Sequence, residues 1–299
     1  MADEVQVYSP ATLPEAFRLL AEYGPDVRPL AGGTDAVVKL KDGLWRPRAW
    51  VNLLKLRDEL AYIRFAADEV RIGSLTTFGE MIRSPELQLG APLLIQAART
   101  IGGPAIRNLA TLGGNLGTAS PAGDSLPALY CLDARVCLAG AAGEREVPIA
   151  DFFRGPGKTA LTPGELITGI AFAPQAPEEM YSFEKLGLRA AHAISLVSAA
   201  VRLVPASSTY HIGLARVALG AVAPTVFRVA AAEDALTRCV PLTPEAVREA
   251  AWAARAASRP ISDIRAGAEY RRAMAENLVL RGLVRALGPA EWEEALRRA

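Results

Sequence analysis

Two short glycine motifs are the residues in this chain best suited to bind a ligand. AGGTD occupies residues 31–35 and TLGGN occupies residues 111–115. Because glycine has no Cβ, the backbone can approach a ligand closely there, and unpaired peptide N–H groups can bind an anion. Together the two loops could hold the pyrophosphate of a dinucleotide from two sides without an arginine. Thr34, Thr111 and Asn115 would add neutral donors.

Both motifs also have interpretations that involve no ligand. Taken alone, AGGTD is more typical of a tight turn, and it does not match the GxGxxG fingerprint of Rossmann folds. The segment FFRGPGKT is not a P-loop, because Phe152 stands where that motif needs glycine. Asp124, in the PAGD sequence that follows the second motif, could accept hydrogen bonds from sugar hydroxyls or could cap a turn. The residues leave both roles of Asp124 open.

Reactive side chains are otherwise sparse. The histidines, His192 and His211, lie outside both glycine motifs, which excludes covalent attachment of a flavin through histidine in these loops. Cys131 and Cys137 are too few and too far apart for an iron–sulfur or zinc site, so buried structural thiols are expected. We therefore expect no catalytic acid–base set and no metal site in this chain.

The composition is typical of an ordinary globular protein. The 299 residues are 51% hydrophobic and 22% charged, which is enough for about two domains with real cores. A net charge of +1 gives no reason to expect nucleic acid as a partner. The N-terminus does not resemble a secretory signal, and no apolar run approaches a membrane span. The odd number of cysteines favours a reducing compartment, so a cytoplasmic location is expected.

The elements that must position the two motifs follow from hydrophobic patterning and capping signals. The first motif is predicted between a strand and a short helix, and the second is predicted to be flanked by strands. Capping boxes are predicted at Thr12 with Glu15 and at Thr77 with Glu80, and Gly24 is predicted to end the first helix. A further helix is predicted in APLLIQAARTIG, and strands in AYIRFAADEVRIGSLT, LDARVCLAGAAGEREVPIADFF and ELITGIAFAP.

A change of pattern at residues 173–180 is the best candidate for a domain boundary. Three long strands are predicted after it, in MYSFEKLGL, ISLVSAAVRLV and HIGLARVALGAV. Helices are then predicted in VAAAEDALTRC, TPEAVREAAWAARAA and GAEYRRAMAENLVLRGLVRAL. Strands followed by helices indicate an antiparallel sheet with the helices covering one face.

Four ordered segments resemble the FAD-binding medium subunit of molybdenum-containing hydroxylases. They are RPLAGGTDAVVKLK, AARTIGGPAIRNLATLGGNLGTASPAGDSLPALYCLDA, FEKLGLRAAHAISLVSAAV and SDIRAGAEYRRAMAENLV. This family includes the carbon monoxide dehydrogenase medium chain and the central flavin domain of xanthine dehydrogenase. The resemblance implies an α+β fold. An FAD-binding domain of the vanillyl-alcohol oxidase type would span 1–175, in subdomains of about 1–55 and 56–175. A C-terminal α/β sandwich domain with an antiparallel sheet would span 176–299.

The resemblance also implies which residues contact the cofactor. The first motif corresponds to the family's first pyrophosphate loop and the second to its TIGGN loop, which a NASPAGD turn follows. Ile101 and Leu161 match apolar positions near the flavin, and would otherwise be interpreted as core residues. Lys185 matches a basic residue near the flavin, and would otherwise be interpreted as a solvated strand residue. The implied set is Pro29, Leu30, Ala31, Gly32, Gly33, Thr34, Asp35, Ala36, Ile101, Thr111, Leu112, Gly113, Gly114, Asn115, Asp124, Leu161 and Lys185.

The implied activity is that of an electron-transfer subunit. A molybdopterin-binding large subunit would oxidise the substrate and a [2Fe–2S] small subunit would pass single electrons. Noncovalent FAD in this chain would collect two electrons for an external acceptor, which could be NAD, oxygen or a quinone. Molybdopterin and [2Fe–2S] are expected only in the partner subunits. The alternatives are a stand-alone flavin oxidoreductase of the same fold, a flavin-free binding module and a structural subunit.

Overall fold

A computed structural model describes residues 5–206, 210–288, 292 and 297 of the chain. The helices within these ranges are α1 (Leu13–Tyr23), α2 (Ala36–Lys41), α3 (Arg57–Leu60), α4 (Phe78–Arg83), α5 (Pro85–Gly90), α6 (Pro92–Arg99), α7 (Pro104–Arg107), α8 (Leu112–Thr118), α9 (Ser125–Cys131), α10 (Ile149–Phe152), α11 (Ala230–Arg238), α12 (Pro244–Ala257) and α13 (Ala268–Leu287).

The strands are β1 (Gln6–Tyr8), β2 (Val27–Leu30), β3 (Ala49–Asn52), β4 (Ile63–Phe65), β5 (Val70–Gly73), β6 (Arg135–Gly140), β7 (Gly143–Pro148), β8 (Phe153–Gly155), β9 (Lys158–Thr159), β10 (Leu166–Phe172), β11 (Met180–Leu186), β12 (Val197–Pro205), β13 (Ile212–Gly220) and β14 (Phe227–Arg228). Helices and sheets are mixed throughout, which confirms the predicted α+β class. No helix among the described residues is both long and apolar enough to cross a membrane.

The chain divides into two compact units. Unit 1 contains Met1–Ser84, Gly103–Ala119 and Ala134–Ala173, and unit 2 contains Pro85–Gly102, Ser120–Asp133 and Pro174–Ala299. The chain therefore passes between the units several times. The segment around the second glycine motif is assigned to unit 1, whereas the sequence immediately after it, including Asp124, belongs to unit 2.

Unit 1 contains a parallel three-stranded sheet and an antiparallel five-stranded sheet. The first has the strand order β1-β3-β2 and the second the order β4-β5-β10-β6-β7. Helix α1 buries Ala16, Leu19 and Leu20 in a core with Ala49 and Val51 of β3. This is the apolar face that its helical spacing predicts. The first glycine motif therefore follows β2, the edge strand of a sheet on which α1 packs.

Local capping signals in unit 1 are largely confirmed. Thr12 caps α1, and Gly24 follows the helix with φ +54°. The complete capping box forms at Thr77 and Glu80. At α1 the box is only partial, because the Glu15 carboxylate accepts from the Ala11 amide at 2.9 Å. The FFRGPGKT segment forms the hairpin β8–β9, as expected of a segment that is not a P-loop.

Unit 2 is built on the antiparallel sheet β11-β12-β13-β14, which confirms the predicted C-terminal sheet. One face of β12 presents Val197, Val201 and Leu203 to a core shared with α11, α12 and α13, the three predicted helices. On the alternate face, Gly220, which pairs with Ser198, lies close to Pro127 of α9. The sheet is thus covered on both faces, because α9 from earlier in the chain packs against β12 and β13.

Candidate functional site

The first glycine motif forms the loop between β2 and α2, as predicted. Gly33 has φ +71°, a left-handed conformation that favours glycine, and Asp35 lies at the N-cap of α2. Within the described ranges, no hydrogen bond uses the amide N–H groups of Gly32, Gly33, Thr34 or Asp35. These residues are at least partly exposed. The loop therefore offers consecutive peptide donors of the kind that bind phosphate oxygens.

The second glycine motif starts a helix, and the prediction that strands flank it is wrong. Thr111 is the N-cap of α8, and its hydroxyl oxygen accepts from the Gly114 amide at 3.1 Å. Helix α7 precedes the motif, and the local extended pairing is a single bridge between Thr77 and Thr111. Thr111 explains why a helix begins here, because the side chain of an N-cap threonine accepts a hydrogen bond from one of the first free amides of the helix.

The amides of the second motif already have protein partners. The Leu112 amide donates to the Thr76 carbonyl at 3.0 Å, and the Gly113 amide donates to the Ser74 carbonyl at 2.8 Å. The expectation that both motifs present unpaired N–H groups therefore holds only for the first. The partners lie more than 30 residues earlier in the chain, so the sequence of the motif carried no sign of them.

Tertiary structure brings the two motifs together within unit 1. A Cβ placed on Gly32 would overlap the carbonyl oxygen of Leu109, two residues before the second motif. The Thr118 hydroxyl at the end of α8 donates to the Asp35 carboxylate at 3.1 Å. The first loop thus lies against the segment that leads into α8 and is tied to the helix's last turn.

Helix α8 exposes a bare glycine face. Gly114 and Gly117 are both exposed and lie three residues apart, so they share one side of the helix. A Cβ on Gly117 would come no closer than 3.7 Å to Ile167, which is ordinary contact. Gly113 differs, because a Cβ there would lie 2.6 Å from that of Ser74. Packing therefore explains why residue 113 is glycine, but it does not explain Gly117. Gly117 is a candidate site residue that was not predicted from the sequence, although its spacing of three residues from Gly114 was visible there.

The Leu161 loop is held by an ion pair. Arg145 donates to the Glu165 carboxylate at 2.7 Å and to the Ala160 carbonyl at 2.9 Å, and the Thr162 amide donates to Glu165 at 2.7 Å. Hydrogen bonding from Arg145 is the main cause that lowers the pKa of Glu165 to about 2. These contacts hold Ala160 and Thr162, the residues before and after Leu161. The Leu161 side chain itself is only partly buried.

In unit 2, Asp124 and Lys185 form a buried ion pair. Lys185 Nζ lies 2.5 Å from Asp124 Oδ2 and donates to the Thr100 carbonyl at 3.0 Å, directly before Ile101. The Ser195 hydroxyl donates to Asp124 Oδ1 at 2.5 Å. Burial raises the pKa of Asp124, and the Lys185 ammonium opposes that shift.

This pair corrects two interpretations drawn from sequence. The Lys185 side chain is only 12% exposed, so it is not a solvated strand residue. The Asp124 side chain makes no capping hydrogen bond to α9, the helix that it precedes. Both corrections have the same physical cause. The opposite charges of Asp124 and Lys185 compensate each other's loss of hydration, so the two side chains are buried together as a pair.

The predicted cofactor-binding residues are thus divided between the units. Unit 1 holds the first loop (29–36), the second motif (111–115) and Leu161, and unit 2 holds Ile101, Asp124 and Lys185. The contacts of these residues with FAD stay a prediction. Of the cysteines, Cys131 is fully buried and Cys137 is half-buried. Burial raises the pKa of both thiols, to about 11 for Cys137.

Comparison with known proteins gives matches along almost the whole chain. Residues 3–175 match the family described as the FAD binding domain in molybdopterin dehydrogenase. Residues 181–286 match the carbon monoxide dehydrogenase flavoprotein C-terminal domain. The nicotinate dehydrogenase FAD-subunit of Eubacterium barkeri is 38% identical over 199 residues, covering 65% of this chain and 67% of that protein.

Two further matches extend over nearly all of the chain. The carbon monoxide dehydrogenase medium chain of Hydrogenophaga pseudoflava is 32% identical over 278 residues, covering 93% of this chain and 95% of that protein. The solved structure of a carbon monoxide dehydrogenase from the same organism, which lacks the Mo-pyranopterin moiety of its cofactor, superposes with a TM-score of 0.91 at 33% identity. It covers 96% of this chain and 98% of the matched chain.

Proposed function

The chain belongs to the family of FAD-binding medium subunits of molybdenum hydroxylases, and we propose that it is the electron-transfer subunit of such an enzyme. Family membership accounts for an FAD-binding domain and for the resemblance seen in the sequence. The proposal adds the direction of electron transfer, which runs from a [2Fe–2S] small subunit through the FAD of this chain to an external acceptor. A molybdopterin-binding large subunit would oxidise the substrate.

One observation carries the assignment of the cofactor to this chain. The first loop presents consecutive amide N–H groups that have no partner among the described residues, and α8 in the same unit presents the bare face of Gly114 and Gly117. Unpaired peptide donors suit phosphate oxygens, and a helix face without side chains lets an extended ligand approach the backbone. The residues present therefore fit a dinucleotide bound without a covalent link.

The chain's own residues have binding and positioning roles in this proposal. The loop of residues 29–36 would hold the pyrophosphate, and Thr111 would keep the start of α8 ordered by accepting from the Gly114 amide. Asp124 holds the Lys185 ammonium in place, and both of its oxygens already accept hydrogen bonds. A sugar hydroxyl that bonds to Asp124 would have to share these oxygens. When bound, FAD would supply the redox chemistry that converts single-electron input into two-electron output.

The test begins with the chain expressed alone. We expect yellow protein with flavin absorbance at about 450 nm, and acid precipitation should release all of the colour into the supernatant as FAD. FMN in the supernatant, or colour retained by the precipitate, would contradict noncovalent FAD. A colourless chain that takes up no added FAD would favour a flavin-free binding or structural role.

A second experiment separates the relay from a self-sufficient enzyme. After dithionite reduction under argon, the isolated chain should pass electrons to an artificial acceptor. No candidate substrate should reduce its flavin unless the molybdopterin and [2Fe–2S] subunits are added. Reduction of the flavin by a substrate in the chain alone would overturn the relay and favour a stand-alone flavin oxidoreductase.

A further inference from the structure

Two cationic side chains flank the first glycine loop and lie over one aromatic ring. Arg28 of β2 directly precedes the loop of residues 29–36, and Lys39 lies in α2, the helix that follows it. The Arg28 guanidinium carbon is 4.3 Å from the centroid of the Trp45 ring, and Lys39 Nζ is 4.2 Å from it. We call Arg28, Lys39 and Trp45 the Trp45 stack. The chain segments that enter and leave the loop therefore meet at the same ring.

The position of Trp45 is itself fixed within unit 1. The chain turns back after α2 at Gly43, which has φ +69°, and the Trp45 amide donates to the Lys39 carbonyl at 3.1 Å. The Trp45 ring packs against the Trp50 ring, with 6.2 Å between their centroids. Trp50 is only 4% exposed, lies in β3 and pairs in register with Arg28 of β2. Trp45 thus connects the loop to a buried position of the parallel sheet.

Helix α2 needs such an anchor because it buries little of itself. None of its residues is buried, and the Asp35 side chain at its N-cap makes no capping hydrogen bond. A helix of six residues has little stability of its own in water, so contacts outside the helix must hold it. Cation–π contacts are favourable and become stronger where the cation is partly dehydrated. Lys39 meets this condition, because burial lowers the pKa of its ammonium group, with Asp35 opposing the shift and Arg28 adding to it.

We propose that the Trp45 stack positions the first glycine loop for its anionic ligand, the pyrophosphate of FAD. The proposal rests on the proposed function, which places that pyrophosphate at residues 29–36. The amide N–H groups of residues 32–35 can bind phosphate oxygens together only when they point to one place, which depends on where β2 ends and α2 begins. An anchor at both stems reduces the freedom that the loop loses on binding, which raises affinity. The three residues of the stack are thus positioning residues that act on the ligand through the loop.

Rapid-mixing hydrogen exchange of the flavin-free chain, read by mass spectrometry, tests the positioning directly. The Val37 amide donates to the Gly33 carbonyl at 3.0 Å, a hydrogen bond that joins α2 to the loop. We expect peptides covering 36–45 to exchange about tenfold faster in Trp45→Leu than in the parent chain. Trp45→Phe keeps an aromatic face and should stay close to the parent, and peptides from β5 should be unchanged in both variants. Unchanged exchange at 36–45 in Trp45→Leu would overturn the proposal.

Titration of the flavin-free variants with FAD tests the consequence for binding. Lys39→Met removes the charge from an unbranched side chain, and FAD should bind about fivefold more weakly. Trp45→Leu removes the ring but keeps both cations, and FAD should bind about tenfold more weakly. Lys55→Met is the matched control and should bind FAD like the parent, because Lys55 is an exposed lysine of unit 1 outside the stack. If Lys39→Met weakens binding while Trp45→Leu does not, the cation acts on the ligand by its charge alone and the positioning role is overturned.

Thermal unfolding of the same variants separates positioning from a general loss of stability. Lys39→Met should keep the melting temperature of the flavin-free parent, because α2 buries no residue in a core. A lower melting temperature without faster exchange at 36–45 would show a general effect on the fold and would overturn the proposal. If Trp45→Leu does not fold, Lys39→Met decides alone. Faster exchange at 36–45 together with weaker binding then supports the proposal, and the absence of either effect overturns it.

Titration of the parent chain with FAD tests the proposed function separately. If the parent binds FAD and the stack variants bind it equally well, the positioning role is wrong while the proposed function stands. If the parent takes up no FAD, the proposed function falls, and the role of the Trp45 stack in cofactor binding falls with it.

Discussion

Gly32 lies against the backbone carbonyl of Leu109, so closely that a Cβ at residue 32 would overlap the oxygen atom. This relationship joins the first glycine loop to the segment that leads into α8, within unit 1. It also separates two reasons for glycine in one motif. Gly32 is required by the packing of protein on protein, whereas Gly33 is favoured by its left-handed backbone, with φ +71°.

Replacement of Gly32 by alanine should destabilise unit 1 even without a cofactor. The backbone of one of the two segments must move to admit the methyl group, and such overpacking costs about 1–3 kcal/mol. In thermal unfolding, the flavin-free Gly32→Ala chain should have a lower melting temperature than the flavin-free parent chain. Gly267→Ala is the matched control, because Gly267 is exposed, has φ −74° and has no atom near the position of its Cβ. An unchanged melting temperature for Gly32→Ala would show that the two segments do not touch.

Alanine at Gly117 should have opposite effects on stability and on binding. Alanine is favoured over glycine inside a helix by up to about 1 kcal/mol, and ordinary space is available for the methyl group. The flavin-free Gly117→Ala chain should therefore melt at the same or a higher temperature. Its affinity for FAD, measured by titration, should fall because the methyl group stands on the bare face of α8. Unchanged affinity would show that the cofactor does not lie along this face.

The Asp124–Lys185 pair should behave as one unit in a double-mutant cycle. Lys185→Met leaves a buried carboxylate without its cation, and breaking such a pair typically costs about 3–5 kcal/mol. The double variant Asp124→Asn/Lys185→Met removes both charges and should be more stable than Lys185→Met alone. Urea unfolding of the flavin-free variants measures the coupling, with the exposed Lys55→Met as control. Simple additivity would mean that the pair is not coupled in solution.

The Arg145–Glu165 pair should make stability depend on pH at the acidic end. The folded-state pKa of Glu165 is lowered from 4.5 to about 2. The pair's contribution is therefore complete above pH 4.5 and is lost as the pH falls toward 2. Glu165→Gln should flatten the decline in the free energy of unfolding across that window. Glu144→Gln, an exposed change next to Arg145 on β7, should keep the decline of the parent chain. If the free energy of unfolding falls with pH equally steeply in Glu165→Gln and in the parent chain, the lowered pKa of Glu165 is contradicted.

Sequence patterns determined many of the local elements of this protein, although not the helix that begins in the second glycine motif. Thr12 and Thr77 carry the capping signals of their helices, and the alternation of apolar residues in β12 specifies a strand with two distinct faces. The resemblance of four segments to a known family also identified the FAD-binding and C-terminal domains, which the comparisons confirm. These features depend on residues near each other in the chain, so a linear pattern is sufficient to reveal them.

Only the tertiary structure decided what the individual residues of the candidate site do. The amides of Leu112 and Gly113 are paired with carbonyls from residues 74–76, and Lys185 is buried by a carboxylate 61 residues earlier. Such partners are set by how segments pack, and nothing in the residue types of TLGGN or FEKLG specifies them. Gly32, Gly33 and Gly117 look alike in the sequence. They differ because the first meets another backbone, the second has a left-handed conformation, and the third lies on the exposed side of α8, where a Cβ would make only an ordinary contact.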